Sequence, residues 1–82
     1  MRVIDLSHPI TTGMPVWPGD PGVGLARVAG ITPEGFRLTR ISLGSHTGTH
    51  LDSPAHVLLD GKALHELPLE RCVGPGCVVD LR

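Results

Sequence analysis

The sequence predicts a mostly β chain of the α/β class with one or two short helices, and three observations predict it. Aliphatic and β-branched runs at 2–6, 25–31, 36–43 and 77–81 are each bounded by Gly, Pro or Ser. Eleven Gly and eight Pro among 82 residues demand frequent turns. Only Leu67-Pro68-Leu69-Glu70-Arg71-Cys72 reads as a helix, with proline in its first turn.

Taken in order, Arg2 to Leu6 is a short β-rich run that Ser7-His8-Pro9 ends. From Thr11 to Gly24 four Gly and three Pro surround Trp17, which excludes regular helix and predicts a long ordered loop. Loops of that kind in small domains tend to be functional or mobile. Trp17, between Val16 and Pro18, either pins this loop to the core or walls a pocket for a flat organic substrate. Leu25–Ile31 and Phe36–Leu43 predict a hairpin across the turn Thr32-Pro33-Glu34-Gly35. In the second strand the alternation slips at Arg40-Ile41, which predicts a bulge or burial on both faces. The hairpin runs directly into a histidine-rich stretch. Asp60-Gly61 is a strong turn signal, and Gly74-Pro75-Gly76 separates the helix at 67–72 from a last strand, Cys77–Leu81. Cys77, beside Val78 and Val79, reads as a core residue.

Eighty-two residues make one domain, 1–82, with a thin core. One Phe, one Trp and no Tyr leave that core mainly aliphatic, so stability calls for a partner chain, a metal or a second half. A net charge of −1 gives no electrostatic reason to expect nucleic acid or an anionic membrane surface. No apolar run reaches the roughly 18 residues of a membrane span, and the N-terminus lacks a signal peptide's apolar stretch. Cys72 and Cys77 have neither the number nor the spacing of a disulfide framework or a zinc site. They read as reduced thiols of a cytoplasmic protein.

Chemistry concentrates in the eleven residues from His46 to His56, which hold three of the five histidines and Asp52. Two imidazoles and a carboxylate, His46, His50 and Asp52, suit a divalent ion with an open coordination position. On a strand His46 and His50 would stand about 13 Å apart, too far to share an ion. A helix would bring i and i+4 together, but Thr47, Gly48, Thr49 and Pro54 oppose one. The geometry left is a bent loop hinged at Gly48, with His50 and Asp52 on one side and threonine hydroxyls holding the bend. An ion so held lowers the pKa of a bound water to about 7 and polarises a carbonyl oxygen. The imidazole of His56 could then move the proton. His8 and His65 stand alone and are assigned to surface or packing roles.

The segment His46-Thr-Gly-Thr-His50-Leu-Asp52-Ser-Pro54-Ala-His56 resembles the H-x-G-T-H-x-D-x-P-x-H motif of the metal-dependent cyclase family, which includes bacterial kynurenine formamidase and isatin hydrolase. Val3-Ile4-Asp5-Leu6-Ser7 resembles that family's opening strand, and Pro15-Val16-Trp17-Pro18-Gly19-Asp20-Pro21 its proline-rich loop. The resemblance implies a partial swivelling β/β/α domain, corresponding to the N-terminal half of such an enzyme. It implies that His46, His50 and Asp52 ligate zinc or manganese, that Asp52 bridges to a second metal, and that His56 is the catalytic acid/base. It places Trp17 at the substrate pocket. The implied activity is hydrolysis of an amide-type C–N bond in a small molecule, an arylformamide or a cyclic amide, by a homo-oligomer.

Two other readings compete. A non-catalytic remnant could keep the motif as an oligomeric metal-binding or interaction module. A non-haem iron oxygenase also uses two His and one carboxylate, though the tight spacing argues against it.

Overall fold

Extended backbone persists where a neighbouring strand satisfies its N–H and C=O groups, and one pair of segments meets that condition. In the computed structural model, which describes residues 1–82, β1 (Gly24–Ala29) and β2 (Leu38–Ser42) form an antiparallel two-stranded sheet. Leu25 pairs with Ile41, Ala26 with Arg40 and Arg27 with Thr39; the register then shifts, so that Ala29 faces Leu38. The irregularity expected at Arg40-Ile41 thus lies on the opposite strand, between Arg27 and Ala29. The predicted turn follows. Gly35, at φ 88°, donates its N–H to the Ile31 carbonyl (2.8 Å), and Glu34 accepts the Gly30 N–H (3.1 Å). Gly35 suits that conformation because it has no Cβ.

Besides this sheet the chain has single helical turns at Ile31–Glu34, Pro54–His56, Leu64–Glu66 and Leu69–Cys72. The result is mostly non-helical, a small α/β set of elements. The helix expected at 67–72 contracts to its last four residues, with Pro68 extended (ψ 135°) just before it. No helix is long and apolar enough to cross a membrane.

The two terminal runs expected as strands are irregular. Val3 and Leu6 are 83% and 84% exposed, Val78 is 99% exposed, and Cys77 lies in solvent rather than in a core. The reason is the same at both ends: β propensity needs a ladder partner, and neither run has one within these 82 residues.

The chain divides into two units, Met1–His50 and Leu51–Arg82. The first contains the sheet and both buried apolar residues, Val23 and Ala29. Its irregular stretches are pinned by local bonds. The Asp5 carboxylate accepts the Ser7 N–H (2.9 Å), which holds its carboxyl below the usual range. That turn is therefore intact at neutral pH and loosens only as acid protonates Asp5. Trp17-Pro18-Gly19-Asp20 closes through Asp20 N–H to the Trp17 carbonyl (2.9 Å), with Gly19 at φ 93°. Proline followed by a positive-φ glycine is what a type II turn requires.

In the second unit, a compact loop holds the Pro54–His56 turn. Leu58 N–H donates to the Pro54 carbonyl (3.0 Å), Gly61 N–H to Leu58 (3.1 Å) and Ala55 N–H to Lys62 (3.1 Å). The expected turn at Asp60-Gly61 is the tip of this loop, and its glycine is dictated by space. A Cβ on Gly61 would lie 2.5 Å from the Pro54 carbonyl carbon and 2.7 Å from the Ala55 nitrogen, both backbone atoms. Gly61→Ala is expected to force the loop open at a cost of about 1–3 kcal/mol. Hydrogen exchange at the Ala55 amide should then accelerate on the order of tenfold to a hundredfold, while Asp60→Ala leaves it near the wild-type rate.

Candidate metal centre

Four residues after β2 ends at Ser42, the chain enters the segment that carries His46. Thr47 N–H donates to the Gly44 carbonyl (3.2 Å), and Gly48 adopts φ 68°, in the left-handed region. The backbone therefore doubles back between the two histidines. Their rings meet edge to face, with centroids 5.1 Å apart and planes at 67°, and His46 Nδ1 lies 3.1 Å from His50 Nε2. A strand would have held the pair about 13 Å apart. The bent-loop reading is the geometry observed.

The turn also fixes which nitrogen His50 offers. Its Nδ1 is 2.7 Å from the Gly48 carbonyl oxygen, which can only accept, so Nδ1 carries the proton. In the neutral ring Nε2 is then a lone pair, and the neighbouring His46 Nδ1–H donates to it. Histidines that ligate metals commonly donate their other ring N–H to a backbone carbonyl, which sets the tautomer and raises basicity.

Asp52 completes the donor set along the same short segment. One ligand atom each from His46, His50 and Asp52 fall within 4.8 Å of one another, and all three residues are exposed. Two atoms bound to one ion at about 2.0–2.2 Å each can be at most about 4.4 Å apart. A shift of a few tenths of an ångström therefore brings the set into range. The donor chemistry and the preset tautomer both fit a divalent cation.

His56 sits at the end of the Pro54–His56 turn, in the same unit as Asp52 and exposed. Trp17 is 79% exposed in its proline-rich turn. An open cavity of about 570 Å³ in the first unit is lined by His8, Pro9, Thr11, Met14, Pro15 and the hinge residue Gly48. Sequence reasoning gave His8 no such place, because nothing local ties it to residue 48. The link is instead a bond over 41 residues, in which the His8 N–H donates to Thr49 Oγ1 (3.0 Å). The threonine hydroxyls were expected to stabilise the bend; that one reaches the N-terminal segment has no signature in the spacing.

A family model described as "Putative cyclase" matches residues 4–82. The chain belongs to the Cyclase family. Among its curated relatives, the kynurenine formamidase of Salinibacter ruber (strain DSM 13855 / M31) is 40% identical over 83 residues, covering 99% of this chain. The aligned region is 39% of that relative, so the chain spans about two fifths of its relative's length. No solved structure matches. The matched span includes the whole of the His46–His56 segment.

Gly48→Ala tests the hinge. Alanine in the left-handed region costs on the order of 1–2 kcal/mol, and its Cβ would also crowd Met14 Cε, 3.2 Å from that position. Divalent-ion affinity, measured by competition with a chelating dye, should fall about tenfold.

Proposed function

We propose that this chain carries the metal-binding and proton-transfer residues of a hydrolase that cleaves an amide-type C–N bond, an arylformamide or a cyclic amide. The observation that carries the reading is the convergence of His46, His50 and Asp52 on a glycine hinge that presets the His50 tautomer. Membership of the Cyclase family and the similarity to a kynurenine formamidase support the same reaction class.

In this reading His46, His50 and Asp52 hold zinc or manganese. When bound, such an ion polarises the scissile carbonyl and brings the pKa of a water to about 7. His56 accepts a proton from the attacking water and returns it to the departing amine, so the C–N bond breaks without expelling an amide anion. Pro54, which opens the turn bearing His56, fixes the backbone between the carboxylate of Asp52 and the imidazole. The exposed indole of Trp17 offers a flat apolar face to an aromatic substrate. Turnover of an arylformamide should vanish with a chelator and return with zinc or manganese. His56→Ala should lower kcat by about 10²–10⁴ while leaving the metal content unchanged. Turnover that persists after complete metal removal would refute this function.

The same reading includes a homo-oligomer and a reducing, cytoplasmic setting. Apolar side chains left in water support the first: Val3, Leu6 and Phe36 in one unit, Leu59 and Val78 in the other. Each such side chain forgoes roughly 1.5–3 kcal/mol that burial would contribute. The unpaired thiols of Cys72 and Cys77 support the second. Light scattering should return a mass above that of one chain, and a monodisperse monomer would contradict the assembly.

A further inference from the structure

The metal segment is held from outside at two adjacent residues, and both holds come from the same short stretch near the N-terminus. His8 donates its backbone N–H to Thr49 Oγ1 (3.0 Å), and Met14 Cε lies against the open face of Gly48. Thr49 is flanked by the two groups whose relation sets the site: the Gly48 carbonyl before it and the His50 ring after it, joined by the 2.7 Å bond. A residue in that position cannot rotate its backbone without moving one of them relative to the other. Its hydroxyl accepts from a donor 41 residues away, so the restraint is independent of the local turn.

We infer that Thr49 is a positioning residue: its hydroxyl, through the His8 N–H, holds the Gly48 carbonyl and the His50 imidazole in the arrangement that presents Nε2. The purpose of the restraint rests on the metal-centre reading above; its existence does not. The methyl group is secondary and the oxygen is what matters, because a backbone N–H needs an acceptor. Thr49→Val keeps the shape and removes the oxygen, whereas Thr49→Ser keeps the oxygen. His8→Pro removes the donor from the other end, since proline has no N–H.

The experiment compares these three variants in the full chain with two readouts. The first is Mn2+ affinity by electron paramagnetic resonance; thiols such as Cys72 and Cys77 compete poorly for this ion. The second is the tautomer of the His50 ring in the metal-free protein, from long-range nitrogen–proton correlation spectra. Thr49→Val and His8→Pro should each weaken Mn2+ binding about threefold to tenfold, the range for one exposed neutral hydrogen bond. Both should convert the single Nδ1–H tautomer of His50 into a mixture, and the double variant should be no worse than either alone. Thr49→Ser should match wild type in both readouts. Wild-type behaviour of Thr49→Val or of His8→Pro overturns the inference, as does a Thr49→Ser variant as impaired as Thr49→Val. If wild type binds neither Mn2+ nor Zn2+, the metal reading fails, and the tautomer comparison alone decides the role of Thr49. If Thr49→Val does not fold, His8→Pro decides it.

Discussion

Between His46 and His50 the chain has to reverse within three residues, and a glycine at φ 68° lets it do so. Extended backbone separates such residues by about 3.3 Å per step; here two imidazole nitrogens lie 3.1 Å apart. The reversal also turns the Gly48 carbonyl toward the His50 ring and so selects the ring's protonation pattern. One dihedral angle thus sets both the spacing of the donors and the identity of the donor atom. The sheet supplies one anchor for this segment, because β2 ends four residues before His46, and the N-terminal stretch supplies the other through Thr49.

The bend that brings His46 and His50 together was more legible in the sequence than the fold. Thr47, Gly48, Thr49 and Pro54 oppose a helix, and a strand would hold His46 and His50 about 13 Å apart; what is left is a bend, and a bend between histidines four apart brings them together. The hairpin was equally legible, since Leu25–Ile31 and Phe36–Leu43 flank a turn of unmistakable composition and need nothing further than each other. The terminal runs were not. Val3-Ile4 and Val78-Val79 have the side chains of strands, but a strand is a property of two segments, and composition cannot name the second. The bulge was misplaced for a related reason: a ladder constrains only relative register, so a slip read in one strand can be absorbed by the other. His8 illustrates the last kind of miss, a backbone donor whose partner lies 41 residues on.

Thermodynamically the two-stranded sheet is a modest support. Ribbons of two strands are marginal in water unless one face is covered, and here Leu38 and Ile41 remain 50% and 60% exposed. The histidine segment therefore depends less on a deep core than on a handful of specific restraints. These are the left-handed glycine, the Gly48–His50 bond and the His8–Thr49 bond. Gly61 plays the corresponding part for the turn bearing His56, where close backbone approach substitutes for buried side chains.

The contact between the two imidazole rings would bear on ion choice. The two ring nitrogens, 3.1 Å apart, already engage one another, so a cation held by His46 and His50 would replace that contact rather than fill an empty cradle. Hard ions such as magnesium and calcium, which favour oxygen, would gain little from that exchange. Borderline ions with a strong appetite for nitrogen would gain most, in an order that rises among first-row metals from manganese toward zinc and copper. A donor set of this kind would discriminate among ions by chemical softness rather than by the size of a hole.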